Sequence, residues 1–436
     1  MFTNRRNFLQ KLSGLAGITA ITPFFNTLQG KNLLHLLDDY QNASAEETMT
    51  DESFWYQIKQ AYTVSPNVMN LNNGGVCPQP KVVQEAVERY NRLSNEAPSY
   101  YMWQILDQGR EPLRAHLADI AGCDKEEIAI NRNSSEGLET VIFGLRLEKG
   151  DEVVLTKQDY PNVINAWKQR EKRDGIVLKW ISFDFPIEDK ALIVNKFKEA
   201  FTSKTKVVNI THMINWIGQI LPVQEIADEA HKRGIEVLVD SAHSFAHFSF
   251  KISDLHCDYM ATSLHKWLCA PFGSGMLYVR KNKIKNLYPH FAAGDPESED
   301  IRKFENLGTR SFAIEQAIGE AINFHHMIGM ERKEKRLHYL KNYWSERAME
   351  FPGVSVKTSL KPEWACAIAL LSVEGKKPGE VASYLFNKHR IHAVGIEWEN
   401  ISGVRITPNV YTTTNDLDWL VKAIREFASE SLTKKG

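Results

Sequence analysis

Cysteine is scarce in this sequence and unpaired. The five residues, Cys77, Cys123, Cys257, Cys269 and Cys366, are scattered, odd in number and without a C-x-x-C spacing. That excludes a disulfide framework and a zinc-ribbon pattern, and the expectation is buried free thiols. An excess of charge is also missing: 53 Lys and Arg stand against 54 Asp and Glu. Nothing in the whole-chain electrostatics therefore draws it to nucleic acid or an anionic membrane. There is no internal repeat, low-complexity tract or long block of like charge. The apolar run at 12–25 falls short of the roughly 20 residues that span a bilayer, and Gly14, Gly17 and Pro23 interrupt it. His243 and His247 are four apart with His256 and Cys257 nearby, but the glutamate of H-E-x-x-H is absent, so a zinc site is not expected. Ser274 in "FGSGM" has the wrong glycine spacing for a hydrolase nucleophile.

What is present is 436 residues of ordinary globular composition, enough for one large domain and a smaller one. "PKVVQEAVERYNRL", "EPLRAHLADIAG" and "SSEGLETVIFGLRL" carry helical stripes, the last opening on hydroxyl residues suited to a helix N-terminus. From "GDEVVLT" onward, short β-rich runs alternate with helices through "IVLKWISF", "TKVVNITHM", "IEVLVDSA", "CDYMATSLHKW" and "GSGMLYVRK". That alternation predicts an α/β domain with a large, mostly parallel sheet covered on both faces. After about residue 310 two long helices, the strand-like "ACAIALLSVEG" and a final helix predict a smaller α+β C-terminal domain. The expected division is 1–45 as leader and polar linker, 46–310 as the large domain with its first segment partly in the small one, and 311–436 as the small domain.

The start, "MFTNRRNFLQKLSGLAGITAITPFF", places Arg5 and Arg6 before Phe8 and Leu9 and a modest apolar run. A basic start and a short apolar stretch read as a secretory signal. "TNRRNFLQK" resembles the twin-arginine export signal. The expectation is export in the folded state by that machinery to the periplasm, or tethering to the membrane if the signal stays. "Ala43-Ser44-Ala45" is a small-residue cleavage candidate far beyond the apolar run.

In an open parallel sheet, ligands bind beyond the carboxyl ends of the strands. Asp240 ends "VLVD" and Lys266 ends "ATSLHK". A lysine amine forms a Schiff base with an aldehyde, and a carboxylate keeps a pyridine nitrogen protonated so that the ring serves as an electron sink. These are the two groups that pyridoxal phosphate chemistry needs most. Ser134 and Ser135 stand at a helix start, where free N–H groups favour an anion, and Ser263 and His265 flank the lysine as further donors.

With these motifs in this order, from "LNNGGVCPQP" to "VRITPNVYTTTNDLDWLV", the chain resembles the class V aminotransferases of the fold-type-I pyridoxal phosphate enzymes, nearest the isopenicillin N epimerase-like branch. The resemblance implies that Lys266 holds the cofactor and shuttles the Cα proton, and that Asp240 pairs with the pyridine nitrogen. It puts His243 and Asn215 near the ring oxygen and Tyr160 on the ring face. It gives the phosphate to Ser135, Ser263, His265 and the backbone of Ser134. Thr309, in "LGTR", would reach the phosphate of a partner subunit, which implies a homodimer with shared active sites. Arg405 would clamp the substrate carboxylate through its planar fork, with Asn73 and Arg310 on the substrate side. Trp103, Arg310 and Trp398 mark the loops expected around the substrate pocket.

The reaction is then set by the fate of the Cα carbanion. "HRIHAVGIEWENISGVRI", the stretch before Arg405, holds no cysteine, and Cys366 lies earlier in an apolar run expected to be a strand. A persulfide-forming desulfurase is therefore disfavoured. Epimerisation wants a second acid/base, for which Tyr160 is the one candidate. The expectation is amino-group chemistry on an amino acid or peptide-like substrate, with transamination first, epimerisation or C–S bond cleavage as alternatives, and a non-catalytic binder as the non-enzyme rival.

Overall fold

The computed structural model describes residues 27–40 and 42–433. The twin-arginine stretch lies outside them. Among the described residues no helix is long and apolar enough to cross a membrane.

Strand β1 (Met69–Asn70) precedes a seven-stranded sheet made of β2 (Ile128–Asn131), β3 (Glu152–Thr156), β4 (Val177–Ile181), β5 (Thr205–Thr211), β6 (Glu236–Asp240), β7 (Tyr259–Ser263) and β8 (Gly275–Val279). Their order is β2-β8-β7-β6-β5-β3-β4. β8 is antiparallel to both neighbours, β2 and β7, while the pairs β7/β6, β6/β5, β5/β3 and β3/β4 are parallel. The central strands read as nearly continuous apolar runs because both faces are covered. Val208, Ile210, Val237, Val239 and Met260 pack into one core, while Val207, Leu238, Tyr259 and Ala261 pack into the core on the other face.

A four-stranded antiparallel sheet, β12-β13-β10-β9, is built from β9 (Val354–Val356), β10 (Ala369–Val373), β12 (Val394–Trp398) and β13 (Ile401–Ile406). β11 (Ile391–His392) instead pairs in parallel with β1. Leu71 joins a third core with Trp344, Leu371, Val404 and Leu420, so the chain just after β1 is built into the C-terminal unit. Residues 28–39, expected within the leader and linker, form a helix whose Leu33 is fully buried. The small-residue cleavage candidate is also structured: Ser44 caps the helix Ala45–Met49 through a capping box with Glu47. Cys366 precedes β10 rather than lying inside a strand, and all five cysteines are free, Cys123 alone being only partly buried.

A buried ion pair ties the sheet edge to the segment before the C-terminal helices. Arg114 and Glu305 meet through two hydrogen bonds of 2.6 and 2.9 Å, and Glu305 also accepts from Ile130 N at 2.6 Å. Both side chains are almost fully buried. Breaking such a pair leaves an uncompensated charge and costs about 3–5 kcal/mol. Glu305→Ala should therefore lower the urea midpoint by a matching amount, whereas a surface pair such as Arg92–Glu88 should shift it by less than about 1 kcal/mol.

Candidate functional site

The strand ends converge as the parallel topology requires. A cavity of about 230 Å³ lies beyond β5, β6 and β7, lined among others by Ser134, Ser135, Tyr160, Asn215, Asp240, His243, Ser263, His265 and Lys266. These are nine of the residues singled out from the sequence, brought together from five separate segments. Gly75, Asn133, Thr211, Met213 and Ala242 complete the wall. The sequence pattern did not mark these: Gly75, Met213 and Ala242 carry no chemical signature, and Asn133 and Thr211 are polar but belong to no motif that singles them out.

At the lysine end, Lys266 Nζ lies 2.8 Å from His243 Nε2. Asp240 accepts from Ala242 N at 2.9 Å. Burial pushes the Lys266 amine down to about 8, with Asp240 opposing the shift and Arg405 adding to it. Burial pushes the Asp240 carboxyl up, against the Ala242 N–H and the Lys266 charge. Asp159, just after β3 and two strands away from β6, is a different case. It accepts from Thr156, Asn209 and Thr211 in a closed buried network; its carboxyl, raised to about 6 chiefly by burial, organises the strand ends and does not line the cavity.

The other end suits an anion. The helix Ser134–Gly144 points its N-terminus at the cavity, and its cap is Asn133, whose Oδ1 accepts from Glu136 N at 2.9 Å. Because Asn133 is the cap, the serines are not needed for it, and both line the cavity as the anion reading expected. Ser263 Oγ accepts from Ser134 N and donates to Ser134 Oγ, both at 2.9 Å. His265 Nδ1 donates to Ser274 O at 3.1 Å, since a carbonyl only accepts. Its Nε2 can then donate to an anion only when the ring carries both protons.

Arg405, on β13, is not itself a wall residue of the cavity but touches one, Asn215. It donates to Asn215 O at 2.9 Å and to Asn72 Oδ1 at 3.0 Å, and its Nε is buried without a partner. A Cβ on Gly74 would stand 3.2 Å from the guanidinium, so glycine there lets the backbone lie against it. Burial lowers Arg405 to about 10, and Tyr160 is near enough to influence its ionisation.

Two expectations on the substrate side, Asn73 and Arg310, differ from the geometry. Asn73 is fully buried and its amide is spent on the protein: Nδ2 donates to Thr407 O at 2.8 Å and Oδ1 accepts from Tyr411 at 2.6 Å. Asn72, one residue earlier, contacts Arg405 instead; the doubled asparagine was legible, but not which of the two faces inward. Arg310 is held by Glu315 and, at 3.5 Å, by Asp107, away from the cavity. Thr309 is exposed and lines no part of the cavity of its own chain. Trp103 is exposed and off the cavity as well, while Trp398 stacks on Trp216 with ring centroids 5.4 Å apart, and Trp216 in turn neighbours Tyr160. The histidines weighed for zinc are otherwise engaged: His247 between His243 O and Ala367 N, and His256 with Asp228.

The residues present fit pyridoxal phosphate. Asn215 Oδ1 is a buried polar atom with no partner, as an atom awaiting a ligand would be. Asp240 is a buried carboxyl that a protonated ring nitrogen would return to its charged form. Lys266 and the Ser134 helix start supply an amine and an anion cradle to one cavity.

Residues 69–419 match the Aminotransferase class-V family. The isopenicillin N epimerase of Streptomyces clavuligerus is 27% identical over 393 residues, covering 86% of this chain and 99% of that protein. Among solved structures, the apo cysteine desulfurase of Thermococcus onnurineus NA1 superposes with a TM-score of 0.77 at 24% identity, over 86% of this chain and 98% of the other. The enzyme C-DES, with glycine covalently linked to its PLP cofactor, superposes at 0.75 and 22% identity, over 83% and 97%. These likenesses share one fold and several different reactions.

Proposed function

The chain belongs to the aminotransferase class-V family, and from that premise we propose that it acts at the amino group or Cα of an amino acid or peptide-like substrate, with transamination as the reaction. Pyridoxal phosphate is its cofactor, and when bound it supplies an electron sink for the bond broken at Cα. The observation that carries the reading is that an amine, Lys266, and a carboxyl, Asp240, line one cavity, and that Arg405, a candidate carboxylate receptor, donates to Asn215 of the same wall. Lys266 would hold the cofactor and carry the Cα proton. Asp240 would face the ring nitrogen, Asn215 and His243 the ring oxygen, and Tyr160 the ring face. Ser134, Ser135, Ser263 and His265 would hold the phosphate, and Arg405 with Asn72 the substrate carboxylate.

Epimerisation is the second reading. Isopenicillin N epimerase among the relatives supports it, and so does Tyr160, a phenol on the cavity wall that can act as a second acid/base. C–S bond cleavage has the support of the cysteine desulfurase relatives. A persulfide mechanism has less, because among the described residues no cysteine lines the cavity. Cys77 is buried and its thiol donates to Asn73 O. The relatives support these alternatives as much as transamination, and a screen of amino donors decides. Transamination gives keto acid with the cofactor left in its amine form. Cα–H exchange with loss of chirality and no keto acid would overturn that in favour of epimerisation. Keto acid with free ammonia would mean elimination, and no exchange at all a binder.

A homodimer with shared sites accounts for Thr309. It is exposed in a single chain, as are the aromatic residues Tyr100, Trp103, Phe272 and Phe291. Export of the folded, loaded enzyme by the twin-arginine route accounts for Arg5 and Arg6. Arg5→Lys with Arg6→Lys should hold the protein in the cytoplasm when cell fractions are blotted; an unchanged distribution would refute this.

A further inference from the structure

We infer that Trp267, the residue after the reactive lysine, decides which nitrogen of His243 carries the proton and thereby favours the neutral amine of Lys266 over its ammonium. The inference rests on the reading of Lys266 as the reactive amine and adds a positioning residue to it. Trp267 is fully buried and is not part of the cavity wall.

The argument is one of donors and acceptors. An indole N–H only donates. Trp267 Nε1 donates to His243 Nδ1 at 3.4 Å, so Nδ1 carries no proton. A neutral imidazole has one proton, which must then sit on Nε2. That nitrogen is 2.8 Å from Lys266 Nζ. An Nε2–H can only donate there, and only a neutral amine has a lone pair to accept. With the opposite tautomer, Nε2 would accept and an ammonium would be welcomed instead.

The surroundings bear on both groups. His243 is kept neutral by burial and by the charges of Lys266 and Arg405, with His247 acting in the same sense. Around Lys266 itself, burial and Arg405 disfavour the ammonium, while Asp240 and Cys77 favour it. Trp267 has no freedom to turn away. Its ring stacks on His247 at a centroid separation of 3.5 Å and an interplanar angle of 10°, and its carbonyl accepts from the buried Lys333. His247 is fixed in turn, donating from Nδ1 to His243 O at 2.7 Å and accepting at Nε2 from Ala367 N at 3.0 Å. The ring that orients His243 is thus clamped from the C-terminal unit through Ala367.

The test uses the full chain labelled with ¹⁵N-histidine, with cofactor removed. Long-range ¹H–¹⁵N spectra distinguish the tautomers, and His243 is identified by the signals missing from His243→Asn. The wild-type ring should show the proton on Nε2; a proton on Nδ1 would overturn the inference without any variant having to fold. Trp267→Phe keeps a ring on His247 and removes the N–H. In a folded Trp267→Phe, the Nδ1–H form should become populated. The pH midpoint of the rate at which a trace of anhydride acylates Lys266, read by mass spectrometry, should rise by about one unit. An unchanged tautomer and midpoint would overturn the inference. Borohydride treatment of the loaded enzyme separates the two claims: cofactor fixed elsewhere than Lys266 would sink the functional reading and leave the tautomer result standing.

Discussion

Lys266→Ala should lower turnover by about 10²–10⁴-fold, the range that a positioned acid/base contributes, and abolish borohydride fixation of the cofactor at this position, while leaving the protein folded. The side chain ends in a cavity and not in a core: its hydrogen-bond partner is His243, 2.8 Å away, and burial has already driven the amine down to about 8. Removing a desolvated amine deletes a cost as well as a contact, so the unfolding midpoint should stay within about 1 kcal/mol of wild type. The same environment sets the pH dependence of cofactor capture. Only the neutral amine attacks an aldehyde, so the capture rate of wild-type protein should climb as pH passes about 8 and level off above it, where a solvated lysine would still be climbing toward its usual value above 10. Stopped-flow absorbance on the cofactor-free chain measures this. Small added amines should restore part of the proton-transfer rate to Lys266→Ala; rescue without loss of fold is the sign of a missing base, and a variant retaining full turnover would place the chemistry elsewhere.

The large sheet was legible because its strands are short apolar runs punctuated by helices and by glycines at helix ends, such as Gly122 and Gly175, which take the left-handed conformation that stops a helix. The cavity was legible for a related reason: polar and charged residues at the ends of otherwise apolar strands have no packing role, so Asp240, Ser263 and Lys266 stand out. Other features were not, because pattern does not encode direction at the resolution of one residue. "LNNGG" announces a turn that touches something, yet only the packed structure shows Asn73 turned toward Thr407 and Tyr411 and Asn72 toward Arg405. Arg310 follows a Gly-Thr pair and precedes a helix, and that helix supplies Glu315, five residues on, to bind it; a local ion pair and a substrate contact look identical in a sequence. Glu305 and Arg114 were missed altogether, since their partnership spans most of the large unit and has no local periodicity.

Arg405→Met should raise KM for an amino-acid carboxylate and lower kcat/KM by roughly 30-fold to several thousand-fold, the equivalent of the about 2–5 kcal/mol that removing one partner of a buried, hydrogen-bonded charge pair costs. Arg405→Lys should fall between the two, because an ammonium keeps the charge and loses the planar fork. The comparison that gives this prediction its force is with stability. In the free enzyme Arg405 has neutral partners, Asn215 O and Asn72 Oδ1, and a buried Nε with none; burial pulls it down to about 10. A structural arginine in the same protein, Arg114, is locked to a carboxylate, and replacing it should destabilise. Arg405 instead holds a desolvated positive charge that nothing in the fold neutralises, so an apolar side chain of similar length should leave the unfolding midpoint unchanged or higher. Loss of substrate affinity together with equal or greater stability is the pattern of a group kept for its ligand. A midpoint that falls while KM stays unchanged would instead make Arg405 a structural tether between β13 and the Asn215 turn, and the carboxylate receptor would have to be sought elsewhere on the cavity wall.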